Sequence, residues 1–351
     1  MSKRIVCAIL SFALVILTVA LPVSAEGVFP SVSAKSAILI DADSGRVMFE
    51  KNAELRLPMA STTKIMTALV ALERGDPDET VKIMPEAVGV EGSSIYLTLG
   101  EELTLRELLY ALLLASANDA ATAIAVHISG SVDAFAELMN EKASALGLFD
   151  THFKNPHGLD AEGHFTTAHD LAKITAAALK NRTFAEIVST YKYNIGGKDG
   201  SRRYLVNHNK LLRQYDGCIG VKTGYTKADG RCLVSAARRD GMTLIAVTLS
   251  APDDWRDHTS MLDYGFKYYE SVEFCRQREV VISLPDVSGK GEIECVAKSG
   301  IVLTLPRGGE ITRVIECPRF FWDTPKKGET VGRVIFYRNG KEIARTTLIV
   351  K

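Results

Sequence analysis

The chain has 351 residues, with 42 basic and 42 acidic side chains, so its formal net charge is zero at pH 7. Hydrophobic residues make up 46% of it, and the length is sufficient for two domains with their own cores. The balanced charge argues against nucleic acid or an anionic membrane as the main partner, because both need a surplus of basic residues.

The N-terminus has the three-part layout of a secretory signal. Met1–Arg4 carries two basic residues, Ile5–Leu21 is nearly all apolar, and Val23–Ala25 is a small-x-small cleavage site. Removal of residues 1–25 would leave 40 basic and 42 acidic residues, a formal net charge of −2. We therefore expect an exported, extracytoplasmic protein. An uncleaved N-terminal anchor is the alternative, because the apolar run is at the short edge of what spans a bilayer.

Five cysteines follow the expected cleavage site: Cys218, Cys232, Cys275, Cys295 and Cys317. Their odd number and wide spacing fit neither a disulfide framework nor a zinc site. At least one of them is expected to be a free thiol.

The residues up to about 270 alternate between strand and helix signals. Ser36–Asp41 and Arg46–Glu50 predict a hairpin, because turn-forming residues join them. Helices are then predicted over Ser61–Glu73, Leu103–Ala115, Val132–Leu146 and Thr167–Asn181. Strands return at Ile219–Gly224, Arg231–Ala237 and Thr243–Ser250, before a closing helix over Arg256–Glu270. This order predicts an α/β (α+β) domain whose single antiparallel sheet is built from both chain ends around a helical insert.

From about Cys275 the sequence changes to short β-rich runs separated by Gly, Pro and Lys turns. The runs are Glu279–Leu284, Ile301–Leu305, Ile311–Ile315, Val331–Tyr337 and Ile343–Val350. They predict a small all-β domain. The expected organisation is therefore a signal over residues 1–25, a catalytic domain over 26–274 and a β-rich domain over 275–351.

The first of three chemical motifs is Ser61-Thr62-Thr63-Lys64, at the start of a predicted helix. The spacing places the Lys64 amine beside the Ser61 hydroxyl on one helix face. Burial and the positive helix N-terminus both disfavour a protonated ammonium, so Lys64 is expected to act as the base that activates Ser61. Taken alone, the pattern more often marks a helix cap and a solvated lysine.

The second motif, Ser116-Ala117-Asn118, lies between two predicted helices, the second expected to begin at Asp119. Such a junction can project side chains into a cleft. The Asn118 amide offers a donor and an acceptor to a peptide group, and Ser116 can relay a proton to a leaving amine.

The third motif, Lys222-Thr223-Gly224, ends a predicted strand. Gly224 leaves room for a substrate backbone to pair with the strand edge, and Lys222 and Thr223 suit a substrate carboxylate. Backbone N–H groups of Ser61 and Tyr225 are expected to form an oxyanion hole, typically worth roughly 3 to 4 kcal/mol of barrier per donor. The three motifs in this order predict an acyl-transfer enzyme.

The motifs resemble those of the D-alanyl-D-alanine carboxypeptidases, low-molecular-mass penicillin-binding proteins that trim the pentapeptide of bacterial peptidoglycan. The likeness extends to Ala37–Gly45, Leu112–Ala121, Asn155–Asp160 and Val221–Thr226, and the segment 327–332 resembles that family's C-terminal domain. The resemblance implies a β-lactamase/penicillin-binding-protein-like fold, an acyl-enzyme on Ser61 and release of the terminal D-alanine. It implies the peptidoglycan stem peptide and β-lactams as partners, and no metal or organic cofactor.

Two features depart from the family pattern. Relatives often carry an arginine that helps hold the terminal carboxylate where this chain has His208. An imidazole is mostly neutral at pH 7, so His208 is the weaker carboxylate ligand. Many relatives also add an amphipathic helix after the β domain, whereas this chain ends at Lys351. Release outside the cell, association with the wall or the outer membrane surface, or an uncleaved signal would replace that anchor.

The remaining histidines predict no metal site. His152, His157, His164 and His169 are separated by Gly and Pro, and no zinc-binding helix signature is present. His157, within the stretch that matches the family, is expected to be a structural contact near the cleft.

Three alternatives share the same motifs. A β-lactamase would need a carboxylate for deacylation, usually in a Glu-x-x-Leu-Asn segment, and none occurs between Asn118 and Lys222. A D,D-transpeptidase uses the same residues but passes the acyl group to an amine. A β-lactam-binding sensor or wall-binding module would acylate without turnover.

Overall fold

The computed structural model describes residues 29–196, 202–289 and 291–351. The expected signal, residues 1–25, lies outside the described residues. None of the helices in these ranges is long and apolar enough to cross a membrane.

The first two strands in chain order, β1 (Ser36–Asp41) and β2 (Val47–Lys51), form a hairpin. A 3-10 turn over Ala60–Thr63 then leads into helix α1 (Lys64–Arg74). The central elements follow in order: β3 (Thr80–Lys82), a 3-10 turn (Pro85–Ala87), β4 (Glu102–Thr104), α2 (Leu105–Leu114), α3 (Asn118–Ser129), α4 (Val132–Ala145), α5 (Ala168–Leu179), α6 (Arg182–Ser189), β5 (Lys192–Gly196), β6 (Arg202–Val206) and α7 (Leu211–Gln214). The unit closes with β7 (Cys218–Thr226), β8 (Gly230–Arg239), β9 (Met242–Leu249) and α8 (Asp254–Tyr268).

The central sheet is antiparallel, with the strand order β2-β1-β9-β8-β7. Helix α5 packs on β1 and β9, and α8 packs on β8 and β9. Because the sheet is covered on both faces, every residue of β1 and β9 is buried, which explains their nearly continuous apolar sequences. The prediction of one sheet built from both ends of the domain is confirmed, and β7 forms its edge.

Several helix boundaries differ from the sequence prediction, among them the start of α8, which begins at Asp254 and not at Arg256. The helix expected from Leu103 begins at Leu105, because residues Glu102–Thr104 pair with β3 and Thr104 then caps α2. The closing helix ends at Tyr268, not Glu270, because the following residues form a strand. Helix α6, the β5–β6 hairpin and the short β3–β4 pair were not predicted from the sequence.

The C-terminal part contains seven strands: β10 (Tyr269–Cys275), β11 (Val280–Asp286), β12 (Gly291–Ala297), β13 (Ile301–Pro306), β14 (Ile311–Glu316), β15 (Thr330–Arg338) and β16 (Lys341–Val350). Strands β10 and β13 pair with each other, and the rest form a sheet ordered β11-β12-β16-β15-β14. The predicted all-β character is confirmed, although β10 and β12 were missed. The five described cysteines are free thiols.

Candidate active site

The sequence predicted Ser61 in the first turn of an α-helix. In the structure it lies in the 3-10 turn that immediately precedes α1. The turn is held by Thr62, whose hydroxyl donates to the carbonyl oxygen of Met59 at 2.6 Å. Ala60 adopts a φ of +47°, an uncommon conformation for a residue with a side chain. Such strain is typical of functional sites, and here it presents Ser61 to a cleft of about 390 Å³.

Lys64 is the first residue of α1, and its side chain is fully buried. Its Nζ lies 2.9 Å from Ser61 Oγ, 2.7 Å from Asn118 Oδ1 and 2.6 Å from the carbonyl oxygen of His157. The last two atoms are acceptors and require N–H donors. A neutral amine has two N–H groups and one lone pair, so donation to both acceptors leaves the lone pair for the Ser61 hydroxyl.

The electrostatics of the site favour that neutral amine. Burial lowers the pKa of Lys64 well below its usual value of 10.5, and the positive charge of Lys222 lowers it further. The carboxylate of Asp119 acts in the opposite direction and raises the pKa. Because desolvation is the largest cause, the pKa depends mainly on the closed packing around the amine.

The second motif meets the first at the junction between α2 and α3. Asn118 begins α3, and its Nδ2 donates to the carbonyl oxygen of Glu91 at 2.6 Å, which orients Oδ1 towards Lys64. Ser116 lines the cleft with a φ of +60°. Sequence reasoning gave no role to Asp119, whose carboxylate accepts a hydrogen bond from Ser94 at 2.6 Å and holds the loop beside the cleft.

The third motif lies on the edge strand β7. Thr223, Gly224 and Tyr225 line the cleft together with Ser61. A Cβ atom at Gly224 would lie 3.0 Å from the backbone nitrogen of Ser61, so the strand approaches the nucleophile closely because residue 224 is glycine. This proximity brings together the two segments that carry the expected oxyanion donors.

Lys222 is buried, with 1% of its surface exposed, although a lysine usually keeps its amine in water. Its Nζ donates to the carbonyl oxygen of Thr223 at 2.9 Å. Burial lowers the pKa of Lys222 to about 7. The residue therefore contributes a buried, partly protonated amine close enough to Lys64 to affect its pKa.

The two histidines named from the sequence occupy different positions. His208 lines the cleft, and burial together with the charge of Lys222 lowers its pKa. His157 contributes its carbonyl oxygen to Lys64, and its Nδ1 accepts a hydrogen bond from the backbone of Leu159 at 3.2 Å. Burial lowers the pKa of His157 to about 3, which leaves the ring neutral.

Five other cleft-lining residues were not identified from the sequence: Ser93, Lys210, Arg231, Asp254 and Trp255. They come from segments distant in the chain. The sequence offered one usable signal for Arg231, because a hairpin between β7 and β8 places this second residue of β8 opposite Tyr225.

Two family models match the chain. The model described as D-alanyl-D-alanine carboxypeptidase covers residues 23–253, and the one for the C-terminal domain of penicillin-binding protein 5 covers residues 269–351. The chain is 34% identical to D-alanyl-D-alanine carboxypeptidase DacF from Bacillus subtilis, over 91% of this chain and 85% of the relative. It is 33% identical to DacA from Escherichia coli, over 92% and 83% of the two chains.

Solved structures give the same result. Penicillin-binding protein 5 from Haemophilus influenzae superposes with a TM-score of 0.74 at 28% identity, over 92% of this chain and 97% of that chain. The DD-transpeptidase of Streptomyces K15 superposes with a TM-score of 0.65 at 35% identity, over 69% of this chain and 100% of that one. The chain therefore belongs to the D-alanyl-D-alanine carboxypeptidases of the low-molecular-mass penicillin-binding type.

Proposed function

We propose that this protein removes the terminal D-alanine of peptidoglycan stem peptides through an acyl-enzyme on Ser61. The observation that carries the proposal is the set of three contacts around the Lys64 amine. Two carbonyl acceptors occupy its N–H groups, and the third neighbour is the hydroxyl that must lose a proton. The same site accounts for acylation by β-lactams, which place a reactive carbonyl carbon before the same hydroxyl.

Acylation begins when neutral Lys64 takes the proton of Ser61 as Ser61 Oγ attacks the carbonyl carbon of the penultimate D-alanine. Negative charge then develops on the carbonyl oxygen. The backbone N–H groups of Ser61 and Tyr225 are the donors that we assign to this oxygen. Gly224 lets them converge, because a side chain there would meet the turn that carries Ser61.

Collapse of the tetrahedral intermediate requires a proton on the leaving amine. Lys64 holds the proton that it took from Ser61, and Ser116 lies in the same cleft, at a position suited to relay it. Release of D-alanine leaves the acyl group on Ser61. Water then attacks this ester, and Lys64 serves again as the base, so hydrolysis regenerates both side chains.

The edge of β7 is the proposed binding surface for the peptide backbone. Among the residues that the structure describes, β7 ends the central sheet on one side, so we assign its outer edge to pairing with an extended substrate. We assign the second N–H of the Asn118 amide, the one that does not donate to Glu91, to the peptide group of the substrate. Thr223 supplies a hydroxyl beside the leaving group.

We further propose that the protein works outside the cytoplasm and that the β-rich C-terminal domain serves as a stalk or partner surface. The signal-like residues 1–25 support export. All site residues precede the C-terminal strands, which supports a non-catalytic role for those strands.

D-Alanine release tests the proposed reaction. The protein beginning at Glu26 is incubated with a peptide ending in Lys-D-Ala-D-Ala, beside Ser61→Ala and the control Ser189→Ala, which removes an exposed hydroxyl. We expect release by the wild-type and control proteins and none by Ser61→Ala. With an amine acceptor such as glycine added, transfer of the acyl group to the amine in place of water would indicate a transpeptidase. A stable adduct without turnover would indicate a sensor, and either result would overturn the proposal.

A further inference from the structure

One end of the cleft carries exposed, positively charged side chains. These side chains do not come from the third motif, Lys222-Thr223-Gly224. Lys222 is 1% exposed, and its amine donates a hydrogen bond to a backbone carbonyl oxygen. His208 faces the cleft, but burial and its neighbour Lys222 lower its pKa, which disfavours a charged imidazole. Arg231 and Lys210 are the side chains that bring positive charge to the cleft surface.

Arg231 is positioned by a buried carboxylate. Its Nε donates to Asp254 Oδ1 at 3.0 Å, and the side chains of the two residues are 44% and 4% exposed. Because Asp254 engages Nε, the two terminal nitrogens of the guanidinium are left for another acceptor; among the described residues no acceptor is recorded for them. A guanidinium fixed in this way presents the planar pair of donors that a carboxylate binds.

The sheet register places Arg231 close to the reacting groups. Arg231 pairs directly with Tyr225, and Thr223 lies two residues along the same strand. Directly opposed residues of an antiparallel pair are separated by about 5 Å between Cα atoms, and residues two apart on a strand by about 7 Å. Thr223 and Tyr225 share one face of β7, and Arg231 joins them on the cleft wall.

Lys210 adds a second cation to this end of the cleft. Its Nζ lies 5.8 Å from the centroid of the Trp255 ring, and both residues line the cleft. Trp255 follows Asp254 at the start of α8, so one helix terminus supports both cations. The stacking retains the ammonium beside the cleft without pairing it with a carboxylate.

We propose that Arg231, held by Asp254, and Lys210 bind the terminal carboxylate of the substrate. This inference rests on the proposed function, because it assigns the group that recognises the leaving D-alanine. Arg231 binds the carboxylate through its paired terminal nitrogens, Lys210 contributes a point charge, and Asp254 is a positioning residue. Specificity for a free C-terminus is thereby supplied from β8 and from the residue that precedes α7, not from the Lys222 amine.

The test compares two peptides with the same D-Ala-D-Ala sequence, one with a free C-terminal carboxylate and one with a C-terminal amide. Wild-type protein should strongly prefer the carboxylate. Arg231→Met should lower kcat/KM for the carboxylate peptide about 10- to 100-fold, mainly through KM, and leave the amide peptide within about 2-fold. Lys210→Met should act in the same direction with a smaller effect. Lys227→Met is the matched control, because it removes an exposed cation from the same hairpin.

The positioning role of Asp254 has its own test. Asp254→Asn keeps an oxygen acceptor for the Arg231 Nε and should retain most of the preference for the carboxylate, whereas Asp254→Ala should lose it. Circular dichroism checks that each variant is folded. Equal losses on both peptides, or no change in the preference, would overturn the inference while leaving Ser61-dependent release intact. Failure of wild-type protein to release D-alanine from the carboxylate peptide and D-alaninamide from the amide peptide would instead count against the proposed function.

A second carboxylate within the stem peptide is the other source of the same chemistry. Peptides that carry diaminopimelate or lysine at the third position, with the same free C-terminus, separate the two sources. If Arg231→Met alters the preference between these peptides and not that between carboxylate and amide, the assignment to the terminal carboxylate is wrong.

Discussion

Lys64 and Lys222 are two buried amines, and the charge of the second affects the first. Both side chains are at most 1% exposed. Desolvation is the main cause of the lowered pKa in each case, and repulsion from Lys222 lowers the pKa of Lys64 further. One function of Lys222 is therefore electrostatic, since it helps to keep the base of the reaction neutral.

The pH dependence of acylation tests this coupling. The rate should rise with pH as Lys64 loses its proton. Removing the positive neighbour in Lys222→Met makes the ammonium form of Lys64 less unfavourable, so the pKa of Lys64 and the rising limb should move to higher pH. Stopped-flow acylation by a β-lactam between pH 5 and 9 measures this limb. A limb that keeps its position, or that moves to lower pH, would contradict the coupling; Lys173→Met, which removes an exposed cation of α5, is the control.

The carboxyl group of Asp229 is a second group whose pKa is shifted. Asp229 is 6% exposed, and burial together with the nearby carboxylate of Asp160 raises its pKa to about 6. The backbone N–H of Asp229 donates to Thr226 Oγ1, whose hydroxyl donates to Asp160 at 3.1 Å. A carboxyl group with a raised pKa binds its proton more tightly in the folded state, so the folded state loses stability as pH rises through 6.

Asp229→Asn should remove this pH dependence, because an amide stays neutral throughout. We expect the variant to be more stable than the wild type at pH 8, with a gain in Tm of about 2–4 °C for each kcal/mol. The advantage should shrink as the pH falls towards 4, where the wild-type carboxyl is protonated in the folded state. Thermal unfolding at a series of pH values measures it, and a gain that is equal at pH 4 and pH 8 would exclude titration of Asp229 as the cause.

Helix α2 is the element that delivers the second motif, and its start is fixed by a reciprocal cap. The Thr104 hydroxyl accepts from the Glu107 backbone N–H at 3.2 Å, and the Glu107 carboxylate accepts from the Thr104 backbone N–H at 2.8 Å. The cap ends β4 and begins the helix in one step. The left-handed Ser116 follows soon after the helix ends, so the cap fixes one end of the segment that reaches the cleft.

Removing the cap should affect stability more than chemistry. Thr104→Ala should destabilise the protein by about 1 kcal/mol, because it leaves the Glu107 backbone donor without its side-chain partner. Glu107→Gln retains a side-chain oxygen and should cost less. Thermal unfolding, with D-alanine release measured well below the Tm, separates the two effects. A loss of release in folded Thr104→Ala that exceeds its loss of stability would show that α2 positions the site directly.

At the scale of the whole molecule, the proposed catalytic residues all belong to the unit that ends with α8, whereas β10 pairs with a strand of the C-terminal part. Strand β10 pairs with β13, and Thr304 on β13 donates to the Asp41 carboxylate at the end of β1 at 3.0 Å. The domain boundary expected after residue 274 falls within β10 and stays a prediction. The Streptomyces K15 structure covers only 69% of this chain, which supports a catalytic unit that folds without the β-rich part.

A truncated protein tests that independence. Residues 26–268 should hydrolyse a soluble D-Ala-D-Ala peptide within a few-fold of the longer protein, because no site residue is removed. Trimming of intact wall should fall, if the β-rich part is a stalk or partner surface. Both activities are compared with those of residues 26–351, and equal trimming of intact wall would remove the support for that role. A folded truncation that is inactive on the soluble peptide would show that the β-rich part supports the site.

The sequence by itself predicted the chemistry that we propose for the site, and it determined most of the secondary structure. Ser61 and Lys64 are three residues apart, and a helical turn brings such residues together whatever the rest of the fold does. The apolar runs of β1 and β9 likewise predict buried strands from local pattern alone. The order of these elements along the chain predicted the central antiparallel sheet, and the structure confirms that sheet.

The tertiary structure decided what depends on contacts between distant segments. Strand β10 and the short β4 have weak local signals, and their partners β13 and β3 stabilise them. The neutrality of Lys64 depends on burial and on Lys222, which lies far away in sequence. Arg231 became a candidate for substrate recognition only when the sheet placed it beside Tyr225 and the helix terminus supplied Asp254. Residue spacing encodes local geometry, whereas desolvation and charge pairing arise only when the chain has packed.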